Sequence, residues 1–68
     1  MITKEDVLDY FNQTEKKVKE IENFYGEIFS QVKDLDLKEM FLRLKGEEKV
    51  HLELIQRLKE IFQAGWEE

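Results

Sequence analysis

The sequence predicts an all-α protein: an antiparallel two-helix hairpin that dimerises into a four-helix bundle. Two long stretches carry apolar residues at alternating steps of three and four, which places those residues on one face of a helix. The chain has no proline and only three glycines, as suits long uninterrupted helices. One break, at residues 34–36, separates the stretches and is too short for anything but an antiparallel turn.

Helix 1 is predicted over about residues 4–33. Thr3 suits the N-cap position, and Asp6 follows three residues later, as in a capping box. The apolar positions of this helix are Val7, Phe11, Val18, Ile21, Tyr25, Ile28 and Val32, with Thr14 filling the gap. Gly26 costs about 1 kcal/mol relative to alanine. It either allows a neighbouring backbone to approach closely or is simply tolerated.

Helix 2 is predicted over about residues 37–63. Asp36 is expected to cap it, with Glu39 completing a second capping box. Gly65 is a natural C′ residue, and Trp66 is expected to fold back on the helix end. The predicted inward seam of this helix consists of Leu37, Phe41, Leu44, Glu48, His51, Ile55, Leu58 and Phe62.

Two adjacent positions of that seam, Glu48 and His51, are polar. Burying an unpaired neutral polar group costs roughly 2–7 kcal/mol and an unpaired charge costs more, so a compensating partner is expected. The Glu-x-x-His spacing puts both side chains on one helix face, as in the carboxylate-bridged metal sites of helical bundles. The alternative is that the pair hydrogen-bonds to its symmetry mate and fixes the register of a dimer.

Composition limits the possible partners and location. A chain of 68 residues forms one small domain, and the absence of cysteine excludes disulfides and thiolate metal sites. The net charge of −5 argues against nucleic acid or an anionic membrane as a partner. No apolar run is long enough to span a membrane and no signal-peptide pattern opens the chain, so the expected location is cytoplasmic. The start at Met1 and the capped ends favour a whole protein over a fragment of a longer enzyme.

Two helices of this kind cannot cover each other's apolar stripes, so association with a second copy is expected. A homodimer is the simplest closed arrangement, and a higher oligomer built from dimers is the alternative. In a two-fold dimer, Glu48 and His51 of both chains can converge into a first shell for iron, manganese or zinc. Glu22 flanks the stripe of helix 1. Two copies of it complete four carboxylates and two histidines, the set found in di-iron bundles.

Part of the chain resembles a known family. Phe24-Tyr25, followed by Glu47-Glu48-Lys49-Val50-His51-Leu52, resembles the rubrerythrin-like branch of the ferritin-like superfamily. Encapsulated ferritins are similar, because they are single hairpins that dimerise to assemble a metal site. The resemblance runs from residue 15 to residue 62 and implies a ferritin-like four-helix bundle.

The same resemblance implies roles for individual residues. Glu48 and His51 match the metal ligands of helix 2, and Tyr25 matches the nearby tyrosine. The family has a metal-binding glutamate seven residues before that tyrosine, where this chain has Val18. Glu22 or Glu15, each within a turn of Val18, is the candidate substitute.

Two functions follow as expectations. The first is a homo-oligomeric, ferritin-like protein with iron or another divalent metal between protomers, storing iron or oxidising ferrous iron as a ferroxidase-type enzyme. The second is a structural or interaction module that keeps the bundle while its metal site is vestigial. Nothing in the chain suggests a nucleophile with a base, a phosphate loop or a redox thiol.

Overall fold

A computed structural model describes residues 1–65 as two α-helices joined by a short turn. Helix α1 spans Lys4–Gln31 and helix α2 spans Leu35–Gly65. The ring centroids of Phe11 and Phe62 lie 5.8 Å apart, near the free end of the hairpin. Those of Tyr25 and Phe41 lie 6.2 Å apart, nearer the turn. The helices are therefore antiparallel, and the predicted all-α hairpin is confirmed over the described residues.

The start of α1 forms the predicted capping box. The Thr3 hydroxyl accepts a hydrogen bond from the Asp6 backbone N–H at 3.2 Å, and the Asp6 carboxylate accepts one from the Thr3 N–H at 3.0 Å. The helix ends at Gln31, and the C-cap residue Val32 has an extended backbone and donates its N–H to the Ile28 carbonyl at 3.0 Å. The end of α1 therefore lies two residues before the predicted one.

The start of α2 differs from the prediction. Asp34, not Asp36, is the N-cap residue: its carboxylate accepts a hydrogen bond from the Leu37 N–H at 2.9 Å. Both residues are aspartates with the same capping ability, and capping from Asp34 lets the helix begin at Leu35. Asp36 then lies in the first turn, where its negative charge interacts favourably with the positive end of the helix dipole.

The end of α2 also differs from the prediction. The helix continues through Gly65, the last residue that the structure describes, so Gly65 is helical rather than a C′ residue. No glycine among residues 1–65 has a positive φ, so none adopts the left-handed conformation of a Schellman end. The predicted contact of Trp66 lies outside the described residues.

The seam between the helices follows a different count along α2 from the predicted one. Its positions at steps of three and four that are at least half-buried are Lys38, Phe41, Lys45, Glu48, Leu52, Ile55, Lys59 and Phe62. The predicted seam and this series have four residues in common, Phe41, Glu48, Ile55 and Phe62. Leu37, His51 and Leu58, which belong only to the predicted series, are exposed, so the prediction was wrong for those three residues.

The hairpin encloses very little. In the described part of the chain, Val18 is the only buried residue, at 7% exposure. The chain exposes 5702 Å², about 1,100 Å² more than the roughly 4,600 Å² typical of a globular monomer of its mass. The expectation that two helices leave apolar surface uncovered is borne out for the single chain.

The two broad sides of the hairpin differ in character. On one side, which we call the polar face, Glu15 of α1 pairs with Lys59 of α2, and Gly26 lies against the Lys45 side chain. A Cβ at Gly26 would meet Lys45 Nζ at 3.4 Å, so the neighbour there is a flexible side chain rather than a backbone. The other side, which we call the apolar face, lies a quarter-turn or more round each helix from the polar one. Its exposed large side chains are Tyr10 and Phe24 of α1 and Leu37, Met40, Leu54, Leu58 and Ile61 of α2.

Candidate functional site

Glu48 and His51 lie near the middle of α2, one helical turn apart. The Glu48 carboxylate Oε1 is 3.5 Å from His51 Nδ1, so the two side chains lie next to each other. Their surroundings differ, because the Glu48 side chain is 17% exposed and the His51 side chain is 58% exposed. Glu48 belongs to the seam against α1, whereas His51 lies on the apolar face.

The desolvation problem raised by the sequence does not arise in the single chain. Neither residue is fully buried, and every buried side-chain nitrogen or oxygen of residues 1–65 has a hydrogen-bond partner. The exposed ring of His51 keeps access to water, and its Nδ1 already faces Glu48. The other ring nitrogen, Nε2, therefore lies on the side turned away from Glu48.

Glu22 lies on the polar face, apart from His51. It lines a shallow groove with Leu42, Lys45, Gly46 and Lys49 of α2. These α2 residues lie on one side of Glu48 around the helix axis, and His51 lies on the opposite side of Glu48. Lys45 and Lys49 are thus the charged residues that line this groove together with Glu22.

The other helix 1 positions named from the sequence are also placed. Val18 is the buried centre of the seam, and Glu15 lies 3.6 Å from the ammonium group of Lys59. The Tyr25 ring is half-buried between Phe24 and Phe41. Over residues 1–65, no group of three or more histidine, cysteine, aspartate or glutamate side chains is close enough to hold a metal ion.

One chain therefore presents two candidate ligands, Glu48 and His51. Zinc takes four ligands, and di-iron bundles draw carboxylates and histidines from four helices. The assignment of Glu22, Glu48 and His51 as a metal set remains a prediction that needs a second copy of the chain to supply the missing ligands.

The predicted seam does not include a larger feature of the hairpin, the apolar face of α2. Met40, Leu54 and Ile61 are among its most exposed members, with Leu54 at 55%. A second count at steps of three and four, one position away from the seam, passes through all of them. The signal was present in the sequence, but the predicted seam mixed members of both counts.

Comparison with known proteins does not assign this chain to a group: no family model, no curated protein and no solved structure matches it. Neither helix, over the residues described, has an apolar stretch long enough to cross a membrane.

Proposed function

We propose that this protein is a homo-oligomeric interaction module, in which two hairpins pack through their apolar faces to complete a four-helix bundle. The observation that supports this proposal is the exposure of large apolar side chains along one side of both helices. Several large apolar side chains exposed on one side of a chain indicate an interaction site, because single soluble chains rarely expose large apolar patches. The polar face, with its lysine and glutamate side chains, is suited to face solvent.

The amount of surface supports a dimer. The excess exposure of about 1,100 Å² over a compact monomer is similar to the roughly 800 Å² that each partner buries in a standard interface. Covering a half-exposed leucine-sized side chain contributes about 1 kcal/mol. Several such side chains on each copy therefore provide the driving force for association.

The test compares two leucines of equal exposure on different sides of α2. Leu54, at 55% exposure, lies on the apolar face, and Leu42, at 53%, lies beside the groove of the polar face. Glutamate and leucine both favour helix, so Leu54→Glu and Leu42→Glu leave helix propensity nearly unchanged. Light scattering should give twice the 8.3 kDa chain mass for the parent and for Leu42→Glu, and the monomer mass for Leu54→Glu.

Two results would contradict the proposal. A parent chain that stays monomeric at high concentration removes the proposed interaction altogether. Equal effects of Leu54→Glu and Leu42→Glu would show that the apolar face is not the contact surface. Circular dichroism of each variant checks that both helices still form.

Metal binding is a second candidate function, favoured by the 3.5 Å approach of Glu48 to His51. A carboxylate and an imidazole together suit iron, zinc or manganese, and a bound iron would supply the redox chemistry of a ferroxidase. One chain does not fit a complete site over its described residues, so the remaining ligands have to come from a partner chain. Glu22 takes part only if its side chain turns away from the groove of the polar face.

Elemental analysis tests the second candidate. Protein refolded with ferrous iron should retain metal in a fixed ratio to chain, and the double variant Glu48→Ala, His51→Ala should retain none. Equal metal content in the parent protein and the double variant would contradict metal binding at Glu48 and His51. Metal that binds the folded dimer must also raise its melting temperature by mass action, whereas a vestigial site predicts no shift.

A further inference from the structure

The apolar stripe of α2 continues over the whole helix without a slip in its spacing. We call it the α2 stripe, and its apolar members are Leu37, Met40, Leu44, Leu54, Leu58 and Ile61. All but the half-buried Leu44 are exposed. The count of three and four is completed at the centre by two polar residues, Glu47 and His51, which are both exposed.

The α2 stripe is symmetric about Lys49. Leu37 and Ile61 lie twelve residues either side of it, and Met40 and Leu58 lie nine either side. Leu44 and Leu54 lie five either side, and the two polar residues, Glu47 and His51, lie two either side. A sequence with this symmetry is its own complement when a second copy runs antiparallel to it. Each residue then contacts its mirror position on the partner, as a two-fold interface requires.

We propose that the partner on the apolar face is a second copy whose α2 packs antiparallel to this one, with the two-fold axis level with Lys49. In this arrangement Glu47 pairs with the partner's His51, and His51 pairs with the partner's Glu47. Leucine, isoleucine and methionine fill all the remaining layers of the stripe. This inference rests on the proposed function and specifies the direction and register of the association.

The chemistry of the central pair is complementary. An ionised carboxylate only accepts hydrogen bonds, and an imidazole donates from a protonated ring nitrogen. Glu48 of the same chain faces His51 Nδ1 at 3.5 Å, which leaves Nε2 for the partner's Glu47. The ring donates to both carboxylates when both of its nitrogens carry a proton. Glu48 thereby orients the ring from the seam side, so the Glu48–His51 contact acquires a role that needs no metal.

The polar pair also selects one register among those that the apolar residues allow. After a slide of one heptad, the outermost remaining layers are still apolar, with Leu44 opposite Ile61 of the partner subunit or Leu37 opposite Leu54 of the partner subunit. In such a slide Glu47 faces a leucine, either Leu44 or Leu58 of the partner subunit, and His51 loses its acceptor. A polar group desolvated without a partner is penalised, so the symmetric register is favoured over its neighbours.

Cysteine cross-linking tests direction and register, because the natural chain contains no cysteine. Chains carrying Leu44→Cys and chains carrying Leu54→Cys should form a disulfide-linked dimer when mixed and oxidised. Neither should cross-link alone, since Leu44 and its own symmetry copy are ten residues apart along the bundle, or about 15 Å. A disulfide requires Cα atoms within roughly 7 Å. Leu42→Cys mixed with Leu54→Cys is the matched control and should not cross-link.

The outcomes separate this inference from the proposed function. A parent chain that is dimeric by light scattering, with cross-linking of Leu44→Cys to itself, indicates parallel α2 helices and overturns the inference alone. A dimeric parent in which neither the mixture nor the single variants cross-link also overturns the inference and leaves the dimer in place. A monomeric parent overturns both, and then a different protein has to cover the apolar face.

A second variant tests the role of the polar pair without depending on a new charge. Replacing both central residues, Glu47→Leu and His51→Leu, should tighten association at least tenfold, because an uninterrupted apolar stripe replaces the polar layer. The same change should allow heptad slides, so Leu44→Cys should then cross-link to Ile61→Cys as well as to Leu54→Cys. An unchanged single register in this background would show that Glu47 and His51 do not set the alignment.

Discussion

Three lysines of α2, Lys38, Lys45 and Lys59, lie in the seam between the helices. The apolar pattern of the sequence predicts leucines at those levels of the seam. Each of the three lysines is half-buried. Lys38 Nζ donates to the Phe29 carbonyl at 2.7 Å and lies 4.8 Å from the centre of the Phe29 ring. Long side chains of this kind cover apolar surface with their methylenes while the charged end reaches a polar partner. The sequence could not predict this use, since a lysine in the seam and a lysine in solvent carry the same letter.

Lys38 supports the end of α1 from the neighbouring helix. The last turn of α1 contains no basic residue, and the Phe29 carbonyl is one of those left without an intrahelical donor. Lys38→Met, which keeps the aliphatic stem, should lower the free energy of unfolding by about 1 kcal/mol through loss of this hydrogen bond. Urea denaturation measures the change. Lys33→Met in the exposed turn is the control and should have no measurable effect.

Each helix shows which parts of the fold a sequence determines. The number of helices, the Thr3 capping box and the approximate position of the turn were predictable, because they depend on local spacing and on local hydrogen bonds. The rotation of α2 about its own axis was not. Its apolar residues satisfy two overlapping counts, and only packing against α1 decides which count is enclosed. The prediction therefore placed Phe41 and Ile55 correctly in the seam and His51 incorrectly there.

The two aspartates of the turn provide a test of how α2 begins. Asp34→Ala should destabilise the hairpin by about 1 kcal/mol, because the Leu37 N–H loses its acceptor. Asp36→Ala removes only a favourable charge from the first turn and should cost no more than about 0.5 kcal/mol. Thermal unfolding of both variants ranks them. A larger effect at Asp36 would contradict the cap seen at Asp34.

The hairpin as a unit is one layer of helices, with principal extents of 52, 16 and 13 Å. Its two sides are unequal, since the Glu15–Lys59 pair joins the helices on the polar face while the apolar face stays open. The need for a second layer followed from the sequence, because two helices cannot enclose a core. The side that stays open to a second layer depends on the helix rotations, so it became visible only in the structure.

Stability should therefore depend on chain concentration. If folding and pairing are coupled, each tenfold rise in concentration adds about 1.4 kcal/mol to the free energy of unfolding of the dimer. Melting temperatures measured over two decades of concentration should rise for the parent chain. Leu54→Glu, which places a charge on the apolar face, should melt at one temperature throughout. A parent whose melting temperature is equally constant would contradict coupled folding.

Val18 is the single buried side chain among residues 1–65, and this has a consequence for backbone amide exchange with solvent. Helices of this length gain most of their protection from packing, so in the unpaired hairpin nearly every amide should exchange through small local openings. Pairing through the α2 stripe would protect the amides around Lys49 first, because that point lies farthest from both fraying ends of α2. Deuterium uptake along α2 would then be slowest at its centre and would slow further as chains are concentrated. Exchange of the amides beside Val18 measures the stability of the hairpin, and exchange of those beside Lys49 measures the association of two hairpins.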